Sequence, residues 1–180
     1  MTIHGKLKEG VDVAVFVRNH PGHLRDALRI LREHPERLIT FRAARKWAGA
    51  AAALARKAPL ALYIAPIGDR GMVEYVAELQ QVVLAPRIGD PVTDRLLTFT
   101  TSTTAGEGLR GPYGTHVKTL YAMSNCRAIA PFPMTALIKV ADGKPIRPDY
   151  RYSYSIVYAV HTLENGEAKK AIRGRARHST

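Results

Sequence analysis

The chain has 180 residues and a mass of 19.8 kDa, with 46% apolar and 23% charged residues, a composition that excludes a wholly disordered, collagen-like or disulfide-scaffold protein. Charge is the anomaly: 27 Lys and Arg against 15 Asp and Glu give +12 and a pI near 10.1, more cationic than solubility requires, so an anionic partner is expected. Cys126 is the single cysteine, which excludes an internal disulfide and a multi-thiolate zinc site, and no stretch approaches the roughly 20 apolar residues of a spanning helix.

The opening MTIHGKLKEGVDVAVFV has a short apolar run containing Asp12 and no small-residue cleavage site, so it reads as a strand and not a signal peptide, and a cytoplasmic protein is expected. VDVAVFVR (11–18) has the valine content of a buried strand. Asn19-His20-Pro21 then starts a helix, with Leu24, Leu28 and Leu31 at helical spacing and a stop before Pro35. Residues 43–57 are strong helix formers, whereas Leu38–Phe41 fits a strand equally well.

From Pro59 the period changes. PLALYIAP (59–66) is an apolar strand, Gly68-Asp69-Arg70-Gly71 is turn chemistry, and 72–86 alternates Val73, Tyr75, Ala77 and Leu79 against Glu74, Glu78 and Gln80, which predicts a hairpin. A β-branched run (95–104) leads into the long glycine loop AGEGLRGPYG (105–114). Segments 116–123, 134–146, turning at Asp142-Gly143, and 150–160 supply further strands. Five or more strands with non-local pairing predict an α+β architecture, a small β-barrel with helices near the N-terminus, over residues 1–162, followed by a basic tail at 163–180. Residues 58–109 are net acidic while 18–57 and 110–161 are basic, which favours one defined binding face.

The order of these elements, with ARKWAG, ALYIAPIGDRG and VEYVAEL and with GTHVKTLYAM and DYRYSYSIVYA as closing strands, resembles the PUA-like superfamily and within it the EVE, YTH and ASCH domains. The resemblance spans roughly residues 11–160. It implies a small barrel that binds RNA or DNA, in several relatives by taking one modified base into an aromatic pocket, and so a reader more than a catalyst. The chain departs from the YTH pattern in having one tryptophan, so tyrosines would complete such a cage.

Three groups of residues are candidates for nucleic-acid contacts. Trp47 beside Arg42, Arg45 and Lys46 is suited to stacking on a base while the cations hold phosphates; the alternative is that Trp47 anchors its helix on the barrel. In YRYSYSIVY, strand alternation places Tyr150, Tyr152, Tyr154, Ile156 and Tyr158 on one face, either as core or, for Tyr150 and Tyr152 with Arg151 between them, at an open end of a pocket. The glycine loop offers unhindered backbone amides with Arg110 and Tyr113, followed by His116 and Lys118, or is simply a connection.

Enzyme signatures are sparse. No GxGxxG follows the first strand and neither GxxxxGK[ST] nor GxSxG occurs, and one cysteine cannot complete a zinc-deaminase set. No catalytic residue, cofactor or metal site is assigned; His4, His20, His23 and His34 lack a nearby Cys or paired carboxylate. The leading expectation is a nucleic-acid binder for RNA or DNA with no membrane association. The alternatives are a nucleic-acid-processing enzyme, a nuclease or base-modifying hydrolase using Glu74 or Glu78, and a regulatory protein-interaction module.

Overall fold

Residues 12–68, 71–101, 106–110, 115–150 and 154–160 are described by a computed structural model. The valine-rich run becomes β1 (Val13–Asn19), and Pro21 at the first position begins α1 (Pro21–Glu33), which closes at His34, whose N–H donates to Ile30 O at 2.8 Å just before Pro35. β2 (Ile39–Ala43), α2 (Ala48–Arg56), β3 (Leu60–Pro66) and β4 (Met72–Leu84) follow. The two last form the expected hairpin, with Leu60 opposite Leu79 and Ile64 opposite Tyr75. Gly71 turns between them at φ +57, a conformation costly for a side chain, and its carbonyl accepts the Met134 N–H at 2.9 Å.

The strands form one six-stranded sheet in the order β2-β5-β4-β3-β1-β6, where β5 is Thr119–Pro133 and β6 is Tyr154–Tyr158; β1 and β3 are parallel and every other neighbouring pair is antiparallel. Side chains alternate across it. Val15, Val17, Leu62, Ile64, Leu79, Tyr121 and Met123 face α1 and α2, which lay Leu24, Ala27, Ile30, Ala50 and Ala53 on them. Fully buried leucines and isoleucines such as Leu24, Leu62 and Ile64 each contribute on the order of 1.5–3 kcal/mol by leaving water. On the other face, Ala14, Phe16, Tyr63, Val73 and Val157 pack under Met134, Leu137 and Ile146. A smaller cluster of Leu96, Val117, Leu120 and Ala122 joins α3 (Pro91–Leu97) to β5.

Several expectations are corrected. The sheet is open and not a closed barrel, because both of its ends are already occupied by other segments. On the outer side of β2, Thr40 N–H donates to Phe99 O at 2.9 Å; on the outer side of β6, Val140 N–H donates to Ile156 O at 2.9 Å and Tyr158 N–H to Ile138 O at 3.0 Å. The run from Arg95 begins as helix, since Pro91 and the Asp90 carboxylate, which accepts Thr93 N–H at 2.9 Å, start α3 before the β-branched residues are reached. Segment 134–146 is a single turn of 3-10 helix (Met134–Ala136) followed by a short bridge and the turn at Gly143. β5 runs on through SNCRAIAPFP because register shifts against β4 absorb the mismatch, one of them placing Asn125 at φ 51.

Candidate nucleic-acid interface

Between β2 and α2 the chain makes a short loop, residues 44–47, that is pinned by the first residues of β5. Lys118 N–H donates to Ala43 O at 3.0 Å. The buried Thr119 hydroxyl donates to Arg45 O at 2.8 Å and accepts Trp47 N–H at 3.1 Å. These bonds set exposed Arg45 and Lys46 beside exposed Lys118, around a cleft of about 630 Å³ whose wall continues along Ala141, Tyr154 and Ile156. Among the described residues no carboxylate lines the cleft, and Lys46 and Lys118 form no ion pair. Its field is therefore positive over a volume typical of a small-ligand site.

Behind this cleft lies a three-ring stack. Trp47 is sandwiched between Tyr121, with centroids 4.2 Å apart and planes at 18°, and Tyr154, at 4.8 Å and 25°. Such pairs each add on the order of 0.5–1.5 kcal/mol beyond burial. The indole has no exposed surface. Tyr121 is also buried, which raises its phenol pKa and keeps the hydroxyl protonated; that oxygen accepts Asn19 Nδ2 at 3.3 Å. Only Tyr154, the outermost ring, reaches the cleft. Its hydroxyl accepts Gly49 N–H at 3.2 Å, and its carbonyl accepts the Tyr150 hydroxyl. A Cβ at Gly49 would stand 3.4 Å from the Tyr154 oxygen, an ordinary contact distance.

The sequence-derived residues thus separate. Arg45, Lys46 and Lys118 come together at one cleft, with Trp47 as the buttress beneath it and not a surface ring. Arg42 is turned inward: its side chain is 7% exposed, Nε donates to Gly108 O at 2.6 Å and Nη1 lies 3.4 Å from Glu107 Oε2. Burial lowers its pKa while Glu107 opposes the shift, so the guanidinium serves to tether the 106–110 segment. Exposed Arg110 and His116 form a two-residue bridge away from the cleft lining. Tyr150 is corrected from the shared tyrosine face: it precedes β6 and packs on Phe16, centroids 5.7 Å apart, in the cluster on the opposite face, because the strand begins only at Tyr154. Tyr113, Arg151, Tyr152 and the basic tail from 163 lie outside the described residues.

Thr119, Tyr121 and Tyr154 were not singled out as site residues. Tyr154 lay in the alternating tyrosine run, but nothing local distinguishes it from its neighbours. A second, smaller cleft of about 300 Å³ at the carboxyl ends of β1 and β3 is lined by both Arg25 and Glu74 and so lacks the one-signed charge of the first. Glu78 Oε2 accepts Gln80 Nε2 at 3.1 Å and Asn125 Nδ2 at 2.9 Å, which engages the carboxylate considered for acid–base work. Among the described residues no three His, Cys, Asp or Glu side chains gather as metal ligands do, and no helix is long and apolar enough to cross a membrane.

A solved structure is similar to this chain: the crystal structure of ASCH from Zymomonas mobilis, at a TM-score of 0.44 and 12% identity over 88% of this chain and 94% of that one. No family model and no curated protein matches the chain.

Proposed function

We propose that the protein binds nucleic acid, RNA or DNA, through the cleft at Arg45, Lys46 and Lys118, and that one base, modified or not, rests against Tyr154. The observation that supports this reading is the cleft's composition: three cations with no carboxylate on the lining among the described residues, beside a tyrosine held at both its hydroxyl and its backbone carbonyl. Cations of this kind bind phosphate with a salt dependence of about −0.7 to −0.9 in log K per phosphate neutralised. The ring supplies stacking worth about 1–3 kcal/mol per base. Trp47 contributes by holding Tyr154 rigid, since a platform that is already packed loses little entropy when a base settles on it.

Anisotropy titrations of labelled single- and double-stranded RNA and DNA, unmodified and carrying a panel of base modifications, at two salt concentrations test this. Lys46→Gln and Lys118→Gln are expected to weaken binding to every sequence and each to lower the salt slope by about one. Tyr154→Ala is expected to lose affinity without changing that slope. No binding by the intact chain at physiological salt defeats the reading and turns attention to an acidic protein partner.

A further inference from the structure

We infer that the cleft accommodates a nucleotide bearing a phosphomonoester, either the phosphorylated end of a nucleic acid or a free mononucleotide; this deepens the nucleic-acid reading above and rests on it. The argument is one of charge and placement. Arg45 and Lys46 are adjacent in the chain, and the hydrogen bond from Lys118 N–H to Ala43 O, with that from Thr119 Oγ1 to Arg45 O, brings Lys118 beside them, so all three cations line one cleft. A row suits a duplex, whose charges repeat every ~1.7 Å along the axis. Cations gathered at one cleft suit a single phosphate group.

An internal phosphodiester brings one negative charge to Lys46 and Lys118, which form no ion pair among the described residues. A phosphomonoester brings about −1.5 to −2 at neutral pH and three acceptor oxygens, which matches the donor set better. The start of α2 adds to the same field: Trp47 at its N-cap provides no side-chain acceptor and its first turn carries no acid, the Gly49 N–H being taken by the neutral Tyr154 hydroxyl. The remaining wall is mostly apolar or aromatic, Ala44, Ala141, Ile156 and the Tyr154 ring, with Ser155 as one polar residue, and suits a sugar and base attached to that phosphate.

One oligonucleotide sequence is compared in three forms, with a 5′-phosphate, with a 3′-phosphate and with hydroxyls at both ends, and a mononucleotide and inorganic phosphate are added as competitors. A phosphorylated end is expected to bind about tenfold tighter than the hydroxyl form. That preference is expected to vanish in Lys118→Gln, with unchanged thermal melting showing that the variant is folded, and to persist in Arg127→Gln, on the exposed surface of β5 away from the cleft. Displacement by the mononucleotide at equal concentration identifies a free nucleotide as the source; displacement only by the phosphorylated oligonucleotide identifies a chain end. Equal affinity for all three forms overturns the inference and leaves nucleic-acid binding standing. Binding of the mononucleotide without any oligonucleotide defeats the nucleic-acid reading and with it the chain-end form of the inference, leaving a free nucleotide as the ligand, and absence of both overturns the two together.

Discussion

The side-chain hydroxyl of Thr119 accepts the backbone N–H of Trp47 at 3.1 Å, which joins the first residue of β5 to the residue that opens α2. The same oxygen donates to Arg45 O, so one buried hydroxyl, with no exposed surface, fixes both sides of the cationic loop. Thr119→Val keeps the shape and removes both bonds, leaving a buried donor and acceptor unmade. A loss of about 1–3 kcal/mol in urea unfolding is expected. Because the loop is released as well, nucleic-acid affinity should fall although no ligand-facing atom has changed; a variant with reduced stability and full affinity would show that the loop does not depend on this hydroxyl.

Trp47 has the largest side chain among the fully buried residues, and its removal is first a packing defect. Trp47→Ala is expected to cost about 3–5 kcal/mol, since the gap between Tyr121 and Tyr154 cannot close without moving α2. Trp47→Phe keeps a ring there and should cost clearly less by the same denaturant titration. If the indole were a base-stacking surface, the Ala variant would instead be nearly as stable as the parent and defective only in binding.

His23 sets a pH dependence. Burial foremost, and then neighbouring His20 with ring centroids 5.6 Å away, hold its imidazole below the ordinary value of 6.5, against the opposing pull of Glu107 and Asp26. The unfolded chain therefore takes up this proton at a higher pH than the folded one does, so this group's cost is absent well above 6.5 and grows as pH falls through 6.5 toward the lowered folded value. Unfolding free energies measured across that range should decline on acidification, and His23→Gln should flatten the decline. An identical slope in the variant would remove His23 from the account.

Cys126 is the only thiol, buried on the helix-covered face of β5, and burial pushes it up to about 12. Almost no thiolate exists at neutral pH, and reactivity follows thiolate and access. An aromatic disulfide reagent should label the native chain at the rate of unfolding and label the denatured chain at once. Rapid stoichiometric labelling of the native protein would show that this face opens without global unfolding.

Much of the sheet was legible because its strands carry their own pattern: valine-rich β1 and the alternation of Val73 through Leu79 needed no knowledge of distant residues. The closure of the sheet was not legible. Whether β2 meets β6 depends on Phe99 and on residues 138–140 arriving at the two edges, which is a long-range fact. At the site, the cations could be counted but not sorted. Arg42 is set apart by facing Glu107 and Gly108, which lie far off in the chain, and strand alternation assigned Tyr150 to the wrong side because the start of β6 lies four residues later.

The position of β2 at the far end of the sheet governs the order in which the molecule is made. Residues 39–43 are made well before their in-sheet partner, Thr119 to Met123 of β5, so the strand lacks its neighbour in the sheet until that later segment has emerged. The loop carrying Arg45 and Lys46 follows this strand directly and is pinned by Lys118 and Thr119. The cleft thus cannot form before β5 is made, and a nascent chain arrested ahead of it would present Arg45 and Lys46 without Lys118 beside them.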